Sequence, residues 1–204
     1  MQLDKPQFIR KAFLNEDWYH GSKKDFAEFD LAYVGTGHGG TNRGWGINLT
    51  KYKENAAGYA GAVRGPKYVK SPGCLYTVSF PEDGIYLIWN AGIEAQPPEV
   101  MKAYNALPDF KYKTWYPLEE DSTGEIIYMY IRHYFAEKAK KHLVYNDFTN
   151  KEASRYLLSH SVIGLKTVTP DFYPEHDRTD TDYDEYVLFS KDYIKIIDKT
   201  ICRA

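Results

Sequence analysis

Cysteine is scarce: only Cys74 and Cys202 occur in 204 residues, far apart, with no CxxC and no histidine companion at metal-ligand spacing. A disulfide-framed scaffold is excluded, and reduced thiols are expected. Long apolar runs are missing as well. None approaches the roughly 18 residues of a membrane span, and the opening MQLDKPQFIRK is too polar for a secretory h-region. The expectation is a cytoplasmic protein with no membrane partner. Nor is charge of one sign in excess. The formal net charge is -2, so overall electrostatics draw the chain to neither nucleic acid nor an anionic membrane, and any such partner needs a local patch. Six histidines are scattered singly, and no HExxH, Walker loop or GxSxG is present. No metal is expected.

What remains is ordinary globular composition, 43% hydrophobic and 26% charged, enough for one well-buried domain spanning 1–204 with a core at about 18–198. Aromatic content is high, 16% with 19 tyrosines, which serves either core packing or flat stacking surfaces for ring-shaped ligands.

Along the chain, Trp18 to Ser22 reads as a short strand. Residues 35–46, GTGHGGTNRGWG, hold six glycines in twelve positions and read as a ligand-facing loop. A short helix from about Glu54 to Val63 is expected next, then strands at Cys74 to Phe80 and through IYLIW to Trp89. Pro97-Pro98 opens a helix over EVMKAYNAL. Apolar residues at Ile127, Tyr130, Ile131 and Tyr134 predict a helix from Glu125 to about Val144, with Ser122 and Glu125 as a capping box. Thr149 and Glu152 repeat that pattern before a helix ending near His160. IGLKTV then reads as a strand, and EYVLF and YIKII, separated by Ser190-Lys191-Asp192, as a β-hairpin or bent strand. The sum is a mixed α+β domain.

GTGHGG at 35–40 satisfies GxGxxG, but no helix follows to hold a pyrophosphate, so the dinucleotide fingerprint is rejected. Three other segments carry the functional signal: WYHGS at 18–22, GWGINLT at 44–50 with the following Ala56, Tyr59 and Ala60, and DEYVLFSKDYIKII at 184–197. A lone histidine such as His20 is ordinarily a satisfied structural residue. In this order and spacing, however, the three segments resemble the ADP-ribosyltransferase superfamily, in its diphtheria-toxin-like and PARP-like branch marked by a His, Tyr, Glu trio. The stretches 25–50, 75–100 and 163–168 are similar to the ADP-ribosyltransferase domains of phage polyvalent proteins and prokaryotic conflict systems.

That resemblance implies two packed, mostly antiparallel sheets forming an NAD cleft flanked by helices, with NAD⁺ as substrate. It implies that His20 bonds the adenine-ribose hydroxyls, that the Gly21 backbone holds the nicotinamide carboxamide, and that Tyr59 stacks on the nicotinamide ring. Ser22, Trp45, Gly46 and Asn48 complete the implied pocket. Glu185 is the implied catalytic residue: it bonds the nicotinamide-ribose 2′-OH, stabilises the oxocarbenium-like transition state and helps deprotonate the acceptor. Where the family pattern places a tyrosine, this chain has Asn48, so the second stacking face falls to Trp45 or Tyr52.

The acceptor is less determined. Asp182, Tyr183 and Asp184 precede Glu185, so a paired Gln/Glu-x-Glu is absent. Lys51-Tyr52-Lys53, Lys67-Tyr68-Val69-Lys70 and Lys111-Tyr112-Lys113 read either as phosphate-and-base contacts or as solvated strand edges with lysine gatekeepers. The expectation is a toxin or anti-phage effector modifying RNA or a protein of the translation machinery, with an antitoxin as a further partner. The alternatives are an NAD⁺ glycohydrolase and a non-catalytic NAD⁺- or ADP-ribose-binding module.

Overall fold

The computed structural model describes residues 17–36, 41, 43–61, 73–140, 147–167 and 184–202. Seven strands among them form one sheet: β1 (Trp18–Ser22), β2 (Ile47–Thr50), β3 (Gly73–Ser79), β4 (Tyr86–Ile88), β5 (Gly164–Thr167), β6 (Glu185–Leu188) and β7 (Lys195–Cys202). Their order is β4-β5-β6-β2-β1-β3-β7, and every neighbouring pair is antiparallel except β4 with β5. The helices are α1 (Lys53–Tyr59), α2 (Pro98–Asn105), α3 (Lys111–Trp115), α4 (Gly124–Lys138) and α5 (Asp147–Ser159). The mixed α+β expectation holds. The two packed sheets do not: β1 pairs with β2 on one side and β3 on the other, so the ladder runs through without a break between sheets.

Strand alternation sorts the core onto two faces. Leu165 and Val187 join the helix-side core with Ile127, Tyr128 and Ile131 of α4 and Ala153 and Leu157 of α5. Trp18, Leu49, Tyr76, Tyr186 and Leu188 join the other core, which among the described residues takes in Phe29 and Phe80 and no residue of α1 to α5. Burying each large apolar side chain stabilises the fold by ~1.5–3 kcal/mol.

Several local expectations are corrected. Ser122 and Glu125 make no capping box: Thr123 is the N-cap of α4 without a side-chain bond, and the Ser122 hydroxyl instead accepts from the Glu119 N–H at 2.9 Å. Likewise, α5 starts at Asp147, so Thr149 lies inside the helix and is fully buried. EYVLF and YIKII are both strands but not a hairpin. A 3₁₀ turn at Lys191–Tyr193 separates them, and β7 crosses to pair with β3 at the sheet edge, because β6 already has β2 and β5 on its two sides. The helix expected to reach Val63 ends at Tyr59, and residues 62–63 and 141–146 lie outside the described residues.

Candidate functional site

The three signal-bearing segments, far apart in sequence, become neighbouring strands β1, β2 and β6. Glu185 opens β6 opposite Thr50 of β2 and Thr167 of β5, and Thr50 stands opposite Tyr19 of β1. Cross-strand partners share a face, so Thr167, Glu185, Thr50 and Tyr19 form one lateral row on the helix side. With strands about 4.8 Å apart, the Cα atoms of Glu185 and Tyr19 are about 10 Å apart. His20 is the next residue along.

The start of β6 is pinned from both sides. Asp184 is buried, its N–H donates to the Thr167 carbonyl at 3.2 Å, and its own carbonyl accepts from the Lys51 N–H at 3.0 Å. Glu185 is partly exposed and ion-paired with Arg43, a residue that the sequence reading did not select. Arg43 is the one permanently charged side chain in the glycine-rich loop, which is the signal that could have marked it.

The Arg43 segment is held by a buried network. Asn150 Nδ2 of α5 donates to both the carbonyl and the hydroxyl oxygen of Thr41 at 2.9 Å. Gly44, at φ +114°, turns the chain with its N–H on the Thr41 carbonyl. Next to it, the Trp45 N–H donates to the Tyr128 hydroxyl at 3.3 Å, and that hydroxyl also lies 2.8 Å from the Asn150 carbonyl and from Ser154 Oγ. Burial pushes the Tyr128 phenol up to about 12, so it stays protonated and able to donate. Trp45 itself is buried, with the Lys151 ammonium 5.1 Å over its ring. Its side chain belongs to the packed interior rather than to an open stacking face. Tyr52 is partly exposed immediately before α1.

His20 occupies a different environment. It faces Tyr76 across the β1–β3 ladder and is surrounded by the rings of Phe26, Phe29 and Tyr76 at 5.1–6.2 Å, on the face opposite Glu185. His20 and Glu185 thus lie two strands apart in the sheet with their side chains on opposite faces, rather than both lining the one NAD cleft that the resemblance implies. Between β1 and β2 the registered pair is Tyr19 with Thr50, against five pairs between β1 and β3. Beyond it, His20 Nδ1 lies 2.8 Å from the Asn48 carbonyl. A carbonyl only accepts, so Nδ1 carries the proton and Nε2 of the neutral ring is an acceptor. Desolvation lowers the His20 pKa, partly offset by that hydrogen bond, so the neutral ring is the form near pH 7.

The remaining predicted residues divide in the same way. Asn48 is exposed opposite Val187, on the Glu185 face. α1 packs on that face over β1, and a Cβ on Gly21 would come 1.6 Å from the Ala56 carbonyl oxygen. Close helix approach thus requires glycine there regardless of any ligand. Gly46 is required by packing too, since its Cβ would lie 2.3 Å from the Leu188 carbonyl. Tyr59, at the end of α1, is 45% exposed. Ser22 closes β1 and accepts from the Lys24 N–H at 3.0 Å.

Two of the basic-aromatic clusters are engaged within the chain. Lys51 and Lys53 sit over the Trp18 and Tyr19 rings at 5.5 and 5.7 Å. Lys111-Tyr112-Lys113 lies in α3 rather than on a strand edge, with Lys111 4.1 Å over Trp115 and the Lys113 ammonium on the Leu107 carbonyl at 3.0 Å. Lys67–Lys70, Asp182 and Tyr183 lie outside the described residues. Among the described residues no group of three His, Cys, Asp or Glu is placed to hold a metal, and no helix is long and apolar enough to cross a membrane. No protein-family model, curated protein or solved structure matches this chain.

Proposed function

We propose that this protein binds NAD⁺ and transfers its ADP-ribosyl group, with Glu185 as the catalytic carboxylate. The observation that carries this reading is the assembly of His20, Asn48 and Glu185, from positions 20, 48 and 185, onto the adjacent strands β1, β2 and β6. On the Glu185 face stand an exposed tyrosine on α1 and a partly exposed carboxylate. Those are a flat surface for a ring and a negative charge for a developing cation. His20, on the other face, holds the β2 backbone at Asn48 through its Nδ1–H.

In the reaction the bond between C1′ of the ribose and the nicotinamide nitrogen breaks, and nicotinamide leaves neutral with the bonding electron pair. Positive charge develops on C1′ and the ring oxygen, next to the Glu185 carboxylate. The acceptor nucleophile then bonds C1′ and gives up its proton to the carboxylate or to solvent. RNA or a protein of the translation machinery is the proposed acceptor, in a toxin or defence role. Water as acceptor makes the same site an NAD⁺ glycohydrolase.

The test is incubation with labelled NAD⁺ and separate pools of RNA, DNA and protein, comparing the native chain with Glu185→Gln. Label in one pool, with nicotinamide release lowered about 100-fold or more in the variant, supports transfer. Free ADP-ribose without a labelled pool moves the reading to hydrolysis. No label and no nicotinamide release rejects both. One observation favours a non-catalytic binding module: Arg43 holds the Glu185 carboxylate, and a carboxylate that stays paired stabilises no second cation.

A further inference from the structure

The Arg43–Glu185 pair poses a chemical contradiction for the activity proposed above. A guanidinium in contact with the carboxylate cancels the field that a ribosyl cation needs. Yet Arg43 does not sit on a loose loop. Its segment is held at Thr41 by Asn150 and at Trp45 by Tyr128, across 109 and 83 residues of sequence, and Thr41, Trp45, Tyr128 and Asn150 are all buried. Side-chain exposures of 35% for Arg43 and 28% for Glu185 leave the pair partly accessible to solvent. The backbone is thus anchored while, among the described residues, the guanidinium pairs with an accessible carboxylate that a stronger anion can replace.

We infer that Arg43 is an anion-binding residue that exchanges partners, leaving Glu185 for the diphosphate of the incoming dinucleotide and so uncovering the carboxylate only when that diphosphate is present. This rests on the ADP-ribosyl reading and adds to it a device for substrate selection. The physics is that of competing anions. A guanidinium forks equally well onto carboxylate and phosphate oxygens, and a diphosphate brings two negative charges where Glu185 offers one. The group to be transferred is attached to that diphosphate through its ribose, so one ligand both removes the cation and places C1′ beside the exposed carboxylate. A nicotinamide nucleoside, which has no phosphate, leaves the pair closed and is a poor substrate.

The experiment has a binding arm and a turnover arm, each run on the full-length chain with thermal melting to show that every variant is folded. In the binding arm, ADP-ribose is titrated calorimetrically. Arg43→Ala is expected to weaken ADP-ribose by about 10- to 100-fold, the usual effect of deleting one charged hydrogen-bond partner. Arg43→Lys recovers part of the loss, having the charge without the fork. Glu185→Gln is expected to tighten ADP-ribose, because it removes the competing anion while its amide still bonds a ribose hydroxyl.

In the turnover arm, kcat/KM for nicotinamide release is compared between NAD⁺ and nicotinamide riboside. The native preference for NAD⁺ is expected to fall at least about 10-fold in Arg43→Ala. ADP-ribose binding that is unchanged by Arg43→Ala and not tightened by Glu185→Gln, in a chain that turns over NAD⁺, overturns the exchange and leaves the ADP-ribosyl reading standing. A native chain that binds no ADP-ribose and releases no nicotinamide overturns both.

Discussion

The two faces of the sheet are built from the same strands and behave as different materials. On β6, Tyr186 and Leu188 are buried in an aromatic core in which Trp18 meets Tyr186 and Phe80 edge-on at 4.9 and 5.4 Å, closed over by Phe29. One residue away, Glu185 and Val187 point to the helix side, where Val187 is covered by the helices and Glu185 is left partly open beside an arginine. Alternation with period two puts the aromatic core on one face and the accessible carboxylate on the other within four residues. His20 breaks the division. Its ring belongs to the aromatic face, while its Nδ1–H holds the β2 backbone at Asn48, whose side chain is exposed on the Glu185 face.

The sharpest way to probe this contrast is to substitute neighbours on β6. Tyr186→Ala is expected to cost ~3–5 kcal/mol of stability, as for other large aromatic truncations in a packed core. Glu185→Gln, one position earlier, should stay within about 0.5 kcal/mol, since a half-exposed ion pair contributes little net. Urea unfolding followed by tryptophan fluorescence measures both, and equal losses would mean that the two faces are not distinct in the way described. A smaller effect is expected for Gly21→Ala. The added methyl meets the α1 backbone, which must move, at a cost of ~1–3 kcal/mol. Because α1 carries Tyr59, NAD⁺ affinity should fall along with the melting temperature.

The smallest effect is a pH dependence. His133, stacked on Tyr112 at 3.6 Å, is lowered to about 4 by desolvation and then by Arg132, and His20 is lowered by desolvation. As pH falls below the ordinary value of 6.5, the unfolded chain takes up these protons before the folded one does. Stability should therefore decline from about pH 6.5 toward about pH 4, through this pair alone, and be fully present above 6.5. His133→Gln should flatten part of that slope in melting curves taken across the range, whereas a slope carried by carboxylates would be unaffected.

Much of the architecture was legible in local sequence. The strands at Trp18–Ser22 and Glu185–Leu188 and the α4 helix follow from apolar periods of two and three-to-four, because a chain segment must present one apolar face wherever it packs. Capping was not legible: Ser122 and Thr149 have capping-box spacing, yet one bonds Glu119 and the other is buried within α5. A short polar side chain takes whichever backbone partner the fold supplies.

By itself, then, the sequence determined where most of the strands and the longer helices lie. Those positions depend on neighbours a few residues away. Only the tertiary structure decided that β6 lies beside β2 while β7 crosses to β3, that His20 and Glu185 fall on opposite faces, and that Arg43 closes on Glu185. Strand partners and the Asn150 anchor of the Arg43 segment join residues scores of positions apart. Their choice follows from burying both faces of one sheet at once, which no local pattern encodes.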